Sequence, residues 1–149
     1  MKNFTQIVEL VMEESFIHPH PNLKQLLNNV VLPKGENKYF KLVWVDTEKF
    51  DALFKQDGEF YIGKGGVGRI GDRYNRFIEF LDTGEEKGFF PIQSPLVHLS
   101  FMDGRWKIMF TNGRHRYAVF RDMGAKAIPV GFDKSNLADA MKLGLIVKN

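Results

Sequence analysis

The stretch Arg105–Val130, RWKIMFTNGRHRYAVFRDMGAKAIPV, decides the fold. Trp106, Ile108 and Phe110 alternate with Lys107, Met109 and Thr111, the period-2 pattern of a strand. Asn112 and Gly113 break that pattern. Tyr117, Phe120 and Met123 then recur at helical spacing, and Gly124 stands where a glycine ends a helix. Ala127–Phe132 resumes as a second strand. Between the first strand and the helix lie Asn112, Gly113, Arg114, His115 and Arg116. A helix start leaves backbone N–H groups unpaired, and these, with the helix dipole, favour an anion. Gly113 lets an anion approach closely, and Arg114, His115 and Arg116 add donors. These five residues form a candidate phosphate cradle. Arg116 falls within the apolar arc of Tyr117, Phe120 and Met123, so its charge must be paired or face a pocket.

The same residues carry a family resemblance. Gly113-Arg114-His115-Arg116-Tyr117-Ala118 follows an apolar strand and precedes Gly124 and Ile128-Pro129-Val130. This resembles the ParB/sulfiredoxin superfamily, whose members share a G-x-H-R or G-x-R-R loop between a strand and a helix, followed by an Ile-Pro-Val strand. The resemblance covers about Pro91 to Phe132. It implies an α/β (α+β) fold, a small mixed sheet with flanking helices, and it places Arg116 in the ligand loop rather than in a structural salt bridge. The superfamily includes nucleotide-binding partition proteins, sulfinic-acid reductases, small-molecule kinases and proposed nucleases, so the fold alone does not give the function. Sulfinic-acid reduction is excluded. Sulfiredoxins carry a catalytic Cys in a G-C-H-R loop, and here Arg114 takes that position in a chain with no Cys. The partition proteins carry Glu-Arg-Arg after their glycine, and Arg114-His115-Arg116 departs from that, which counts against CTP specificity.

Composition sets further bounds. A chain of 149 residues, 44% apolar and 26% charged, reads as one globular domain with a real core. Fourteen Phe point to aromatic packing within it. With no Cys, neither a disulfide framework nor a thiolate zinc site can form. No segment has the apolar length to span a bilayer, and the first residues lack a signal-peptide pattern, so a cytoplasmic protein without membrane contact is expected. The net charge of +3 says little about partners, but its distribution says more: five Lys or Arg and no acid lie between Gly104 and Arg121. That concentration suits the phosphates of a nucleotide or of a nucleic-acid backbone.

Working outward, residues 1–16 show helical spacing at Phe4, Ile7, Val8, Val11 and Met12, and His18-Pro19-His20-Pro21 ends that helix. With no Cys or acid close by, the two histidines read as a polar loop, and no metal site is expected. Asn22 is placed to cap a short helix through Val30, and Pro33–Asn37 is a turn. Residues 1–37 are expected to be a helical extension packed on the core, and 38–149 the ParB/sulfiredoxin-like domain. Lys38–Val45 reads as a strand, with Asp46 or Thr47 capping a helix from Glu48 to about Lys55. Asp57-Gly58 marks a turn. Gly63–Gly71 holds five glycines in nine residues but lacks Walker A spacing, so it reads either as a lid over the cradle or as a flexible hinge or surface loop. Ile70, Tyr74, Phe77, Ile78 and Leu81 then share one helical arc, with Arg69, Arg73 and Arg76 on an adjacent one. That basic stripe either flanks the cradle or is a solvated face paired with Asp72, Glu79 or Asp82. Asp82–Phe90 reads as a turn-rich connector. Pro95–Phe101 is a strand carrying a structural His98, Asp103-Gly104 a hairpin turn, and Leu137–Lys142 a last helix capped by Ser135 or Asn136. Arg105, Lys107 and Arg121 are expected on the solvated surface.

The leading expectation is a nucleotide or other phosphate-bearing ligand at Gly113–Arg116. Its enzymatic form would be nucleotide hydrolysis or phosphoryl transfer with Mg2+. No paired-acid motif chooses a metal-holding carboxylate among Asp46, Glu48, Asp72, Glu79 and Asp103. One rival is a DNA-binding protein or nuclease using Arg69, Arg73 and Arg76 on the backbone. Another is a non-catalytic interaction module of a mobile element. Neither the reaction nor the oligomeric state is legible.

Overall fold

The computed structural model describes residues 17–86 and 90–147. The helix expected over residues 1–16 lies outside them. In chain order the elements are α1 (Leu23–Asn28), β1 (Val30–Val31), β2 (Phe40–Asp46), α2 (Thr47–Phe54), α3 (Arg73–Glu86), β3 (Ile92–Gln93), β4 (Leu96–Met102), β5 (Arg105–Asn112), α4 (Arg114–Asp122), β6 (Ala127–Asp133) and α5 (Leu137–Lys142). The protein is thus a mixed α/β fold, a small sheet with flanking helices.

The main sheet has the order β2-β6-β4-β5. β4 and β5 form an antiparallel hairpin across Asp103-Gly104, both with positive φ, as a type I′ turn requires. From the end of β5 the chain turns into α4, which carries it back to β6, parallel to β4. β2 closes the other side antiparallel to β6. β4 pairs with β6 only at Leu96–Gly131 and Val97–Phe132, so Pro129, with no N–H to give, sits where β6 has one neighbour. β1 and β3 make a separate two-stranded parallel ladder.

The core is aromatic. Phe50 and Phe54 of α2 pack on Phe110 of β5 and Tyr117 of α4, with ring centroids 4.6–5.9 Å apart. Phe77 of α3 meets Phe120 of α4 edge-on at 5.4 Å. Leu26, Leu27 and Val30 are buried in the same core, which ties the described part of the extension to it.

Several local expectations change. α1 ends at Asn28 because Val30 leaves to pair with Ile92 in a ladder, and Asn22 makes no side-chain cap. Asp46, rather than Thr47, caps α2 by accepting the Lys49 N–H at 3.0 Å. The connector expected from Asp82 begins as helix, since α3 runs on to Glu86 after burying Leu81. Asn136 leaves the start of α5 uncapped because its Oδ1 takes the Leu99 N–H at 2.9 Å. Among the described residues no helix is long and apolar enough to cross a membrane.

Candidate functional site

The loop from β5 into α4 forms the floor of a cleft of about 730 Å3. Asn112, Gly113, Arg114, His115 and Arg116 all line it, and Arg73 and Arg76 of α3 stand opposite. Phe60, Phe77, Phe80, Met109 and Phe110 supply apolar wall, and among the described residues Asp57 is its one carboxylate. Four arginines against one acid make the cleft strongly cationic, and its size suits a small ligand.

Gly113 is fixed at the helix start by two constraints. Its φ of +84° lies in the left-handed region, and a Cβ there would come 2.8 Å from Pro95 Cα and 2.7 Å from Arg116 Nη2. The bare glycine therefore lets the Arg116 guanidinium fold back beneath the loop. Arg116 makes no ion pair among the described residues, and its Nε and Nη2 are buried without a hydrogen-bond partner. Burial alone holds its pKa below the usual arginine range. Of the two choices posed by its place on the apolar arc, pairing or a pocket, the geometry shows the second.

The other two basic residues of the loop are engaged. Arg114 donates through Nη1 to the Phe60 carbonyl at 2.8 Å and lies over the Phe60 ring at 5.4 Å. Burial and the neighbouring Arg73 lower its pKa. His115 is 7% exposed, and its Nε2 accepts the Ile70 N–H at 3.2 Å. Burial, followed by the charges of Arg114 and Arg73, pushes its pKa down to about 4. His115 is therefore a neutral acceptor at neutral pH through Nε2, whereas the cradle reading had it add a donor. It joins the loop before α3 to the start of α4.

The basic stripe is split. Arg73 and Arg76 face the cleft from α3, and Arg76 pairs with Asp72 at 2.9 Å on the surface. Arg69 does not belong to the stripe. It precedes the helix, which begins at Arg73, and donates to the Gly66 carbonyl at 3.2 Å. Ile70, expected on the core arc, is likewise outside the helix and 58% exposed.

None of the glycine-rich loop Gly63–Gly71 lines the cleft, though its Ile70 N–H is held by the cleft residue His115. Its glycines are anchored farther along α4 and on α3. Gly65 N–H donates to Asp122 Oδ2 at 2.9 Å, and Gly66 packs on the Tyr74 ring. Asp122 is 2% exposed and also takes the Tyr74 hydroxyl at 2.5 Å. Its other oxygen accepts Arg121 Nε at 3.1 Å. Arg121 was expected in solvent; its side chain is 6% exposed and bonds Asp51 Oδ1 at 2.9 Å and the Ile62 carbonyl at 2.6 Å. Asp51 completes the cluster by accepting the Tyr61 and Tyr117 hydroxyls at 2.8 and 2.9 Å. Burial depresses the Arg121 pKa, but Asp122 and Asp51 more than offset this and hold it above the ordinary value. Burial and Asp51 push Tyr61 up to about 12, and burial with Asp122 raises Tyr74.

None of the acids considered from sequence is in the cleft: Asp46 caps α2, Asp72 pairs with Arg76, and Asp103 turns the hairpin. His20 lies 3.7 Å from Asp82. Among the described residues no group of three or more acids or histidines could hold a metal ion.

No protein-family model matches this sequence. Nor does any curated protein match it. The fold does have a solved counterpart. The chain is similar to an oncogenic suppression activity protein, described as a plasmid fertility inhibition factor and solved as a gold(I) cyanide derivative, with a TM-score of 0.53 and 16% identity. The match covers 72% of this chain and 57% of that one, so the chain spans little more than half of its counterpart's length. Likeness at this identity is a likeness of fold.

Proposed function

We propose that the cleft between α3 and the β5–α4 loop binds a nucleotide, with its phosphates against Arg116 and the first turn of α4. The observation that carries this reading is the Arg116 guanidinium, lining the cleft with two buried nitrogens unpartnered and no acid beside it. A protein rarely leaves such a group without compensation, and a phosphate in the cleft supplies the counter-charge. Oriented N–H groups at the start of α4 and the charges of Arg73 and Arg76 add to the attraction. The apolar wall of Phe60, Phe77, Phe80 and Phe110 suits the body of a nucleotide rather than inorganic phosphate alone. Membership of the ParB/sulfiredoxin superfamily, suggested by Gly113–Ala118, and a cytoplasmic location belong to the same proposal.

A Mg2+ ion held by the protein does not fit the described residues. Mg2+ takes near-octahedral oxygen ligands, commonly one or two carboxylates with substrate phosphates. Asp57 is the cleft's one described carboxylate; its Oδ1 takes the Phe60 N–H and its Oδ2 is buried. The described residues of the cleft support binding of the nucleotide.

Calorimetry with ATP, GTP and tripolyphosphate tests this. The wild-type protein should bind, and Arg116→Ala should weaken binding by about ten- to a hundredfold, the equivalent of about 1.5–3 kcal/mol for a charge-assisted contact. Absence of binding by the wild type would refute the proposal. Affinity for duplex DNA falling steeply with salt, with none for nucleotides, would favour the nucleic-acid reading instead.

A further inference from the structure

The state of one ring nitrogen of His115 fixes that of the other. The Ile70 N–H can only donate, so the Nε2 that accepts it at 3.2 Å carries a lone pair and no hydrogen. Burial and the positive charges of Arg114 and Arg73 stand against a second proton on the ring. A neutral imidazole holds one hydrogen, which therefore sits on Nδ1. Nδ1 gives that hydrogen to no group among the described residues and, unlike Nε and Nη2 of Arg116, it keeps surface of its own. His115 itself lines the cleft, between Arg114 and Arg116 in the chain. The Ile70 amide is free to hold it because α3 does not begin until Arg73, and Gly68 and Gly71, both with positive φ, flank Ile70 in the loop. Gly68 cannot be exchanged there, since a Cβ on it would come 2.9 Å from the Tyr61 carbonyl oxygen. The glycine loop thus meets α4 at both ends: Ile70 at His115 in the first turn, and Gly65 at Asp122, the last residue.

Resting on the phosphate-binding reading above, we propose that the glycine loop governs the cleft without entering it, because the Ile70 amide locks His115 in the tautomer that offers a neutral Nδ1–H donor to a phosphate oxygen. A guanidinium donates from every edge, so Arg116 needs no such control. An imidazole donates from Nδ1 only while the hydrogen is there. Without the Ile70 bond the hydrogen divides between the two nitrogens, and the apparent affinity falls with the fraction left on Nδ1. Ile70 is on this account a positioning residue, acting through its backbone from outside the cleft.

Nitrogen NMR of the imidazoles in the full chain reads the tautomer, and calorimetry with tripolyphosphate reads the binding. At neutral pH the wild-type His115 should show a protonated Nδ1 and a bare Nε2, and the Nδ1 resonance should move when tripolyphosphate is added. Ile70→Pro deletes the donor outside the cleft; both tautomers should then be populated and affinity should fall about two- to fivefold. His115→Gln keeps one acceptor and one donor and should bind within about threefold of the wild type, whereas His115→Phe keeps neither and should lose about tenfold. A hydrogen on Nε2 in the wild type, or an Nδ1 resonance unmoved by saturating tripolyphosphate, would overturn the proposal. Equal affinities of His115→Phe and wild type, with Arg116→Ala failing to bind, would overturn it too and leave the phosphate site standing. No binding of tripolyphosphate by the wild type would overturn both. The wild-type spectra and the His115 pair decide the proposal even if Ile70→Pro fails to fold.

Discussion

Replacing Arg116 by methionine should make the ligand-free protein more stable while removing its anion binding. Two guanidinium nitrogens are buried without partners, and burial already disfavours the charged form. Desolvating an ion costs several kcal/mol unless attraction to a partner repays it, and no partner is present among the described residues. Methionine keeps the unbranched apolar stem and its packing against the neighbouring turn but carries no charge. Replacing buried ionic groups by apolar ones of similar volume is often stabilising, by about 1–4 kcal/mol. Arg116 is only part-buried, so the lower half of that range, about 1–2 kcal/mol, is the expected gain. In a chain of this length that raises the melting temperature by about 2–8 °C. Thermal denaturation followed by circular dichroism, with and without tripolyphosphate, measures it. The wild type should gain stability from the ligand and the variant should not, since stabilisation by a ligand requires binding to the folded state. A melting temperature several degrees below that of the wild type, without ligand, would refute the reasoning and make Arg116 a structural strut.

Arg121→Leu, five residues along the same helix, should act in the opposite direction and lose about 3–5 kcal/mol in urea denaturation, because it strands the buried Asp122 carboxylate and frees Asp51. A loss under about 1 kcal/mol would show that the pair contributes no more than a surface salt bridge. His115 carries a pH dependence of definite sign. Its folded pKa of about 4 lies below the ordinary 6.5, so the unfolded chain binds the proton more readily. The associated stability is fully present above about pH 6.5 and is lost as the pH falls toward 4, a change of about 3 kcal/mol. Denaturation midpoints of the wild type and His115→Gln across that range should diverge in slope, and parallel profiles would contradict the assignment of a neutral His115.

The fold was legible where periodicity and turn chemistry act locally. β5, α4 and β6 follow from the Trp106–Phe110 alternation, the Tyr117–Met123 spacing and Gly124, because each pattern is complete within a dozen residues. That Gly113 and Arg116 share a cleft was legible for the same reason: they are neighbours in sequence and in space. What could not be read depends on distant partners. Arg121 looked like a surface residue because Asp51 and Ile62, which bury it, lie some sixty to seventy residues away. Asp57 showed only as half of an Asp-Gly turn, although the same side chain reaches the cleft. The arginine stripe assumed a helix from Arg69. The helix starts at Arg73, since Gly66, Gly68 and Gly71 all adopt positive φ and hold the chain in a loop until then.

Helix α4 divides two electrostatic environments, and its arginines explain why the proposed site lies on one side and not on the other. Five residues at 3.6 per turn separate Arg116 and Arg121 by about 140° around the axis, so they cannot serve the same surface. On Arg121's side each charge meets an opposite one, although Arg121 Nη2 itself is buried without a hydrogen-bond partner: two carboxylates, a carbonyl and three tyrosine hydroxyls form a network that also holds Gly65 of the glycine loop. Tyr74 belongs both to that network and to α3, one residue after Arg73 and two before Arg76. Its bond to Asp122 therefore ties the first turn of α3, which carries those two arginines, to α4. The paired side ties the two helices together, and on the other side Arg116 has no counter-charge among the described residues. In the proposed function, a cation already placed at the cleft floor spends little further entropy on binding an anion.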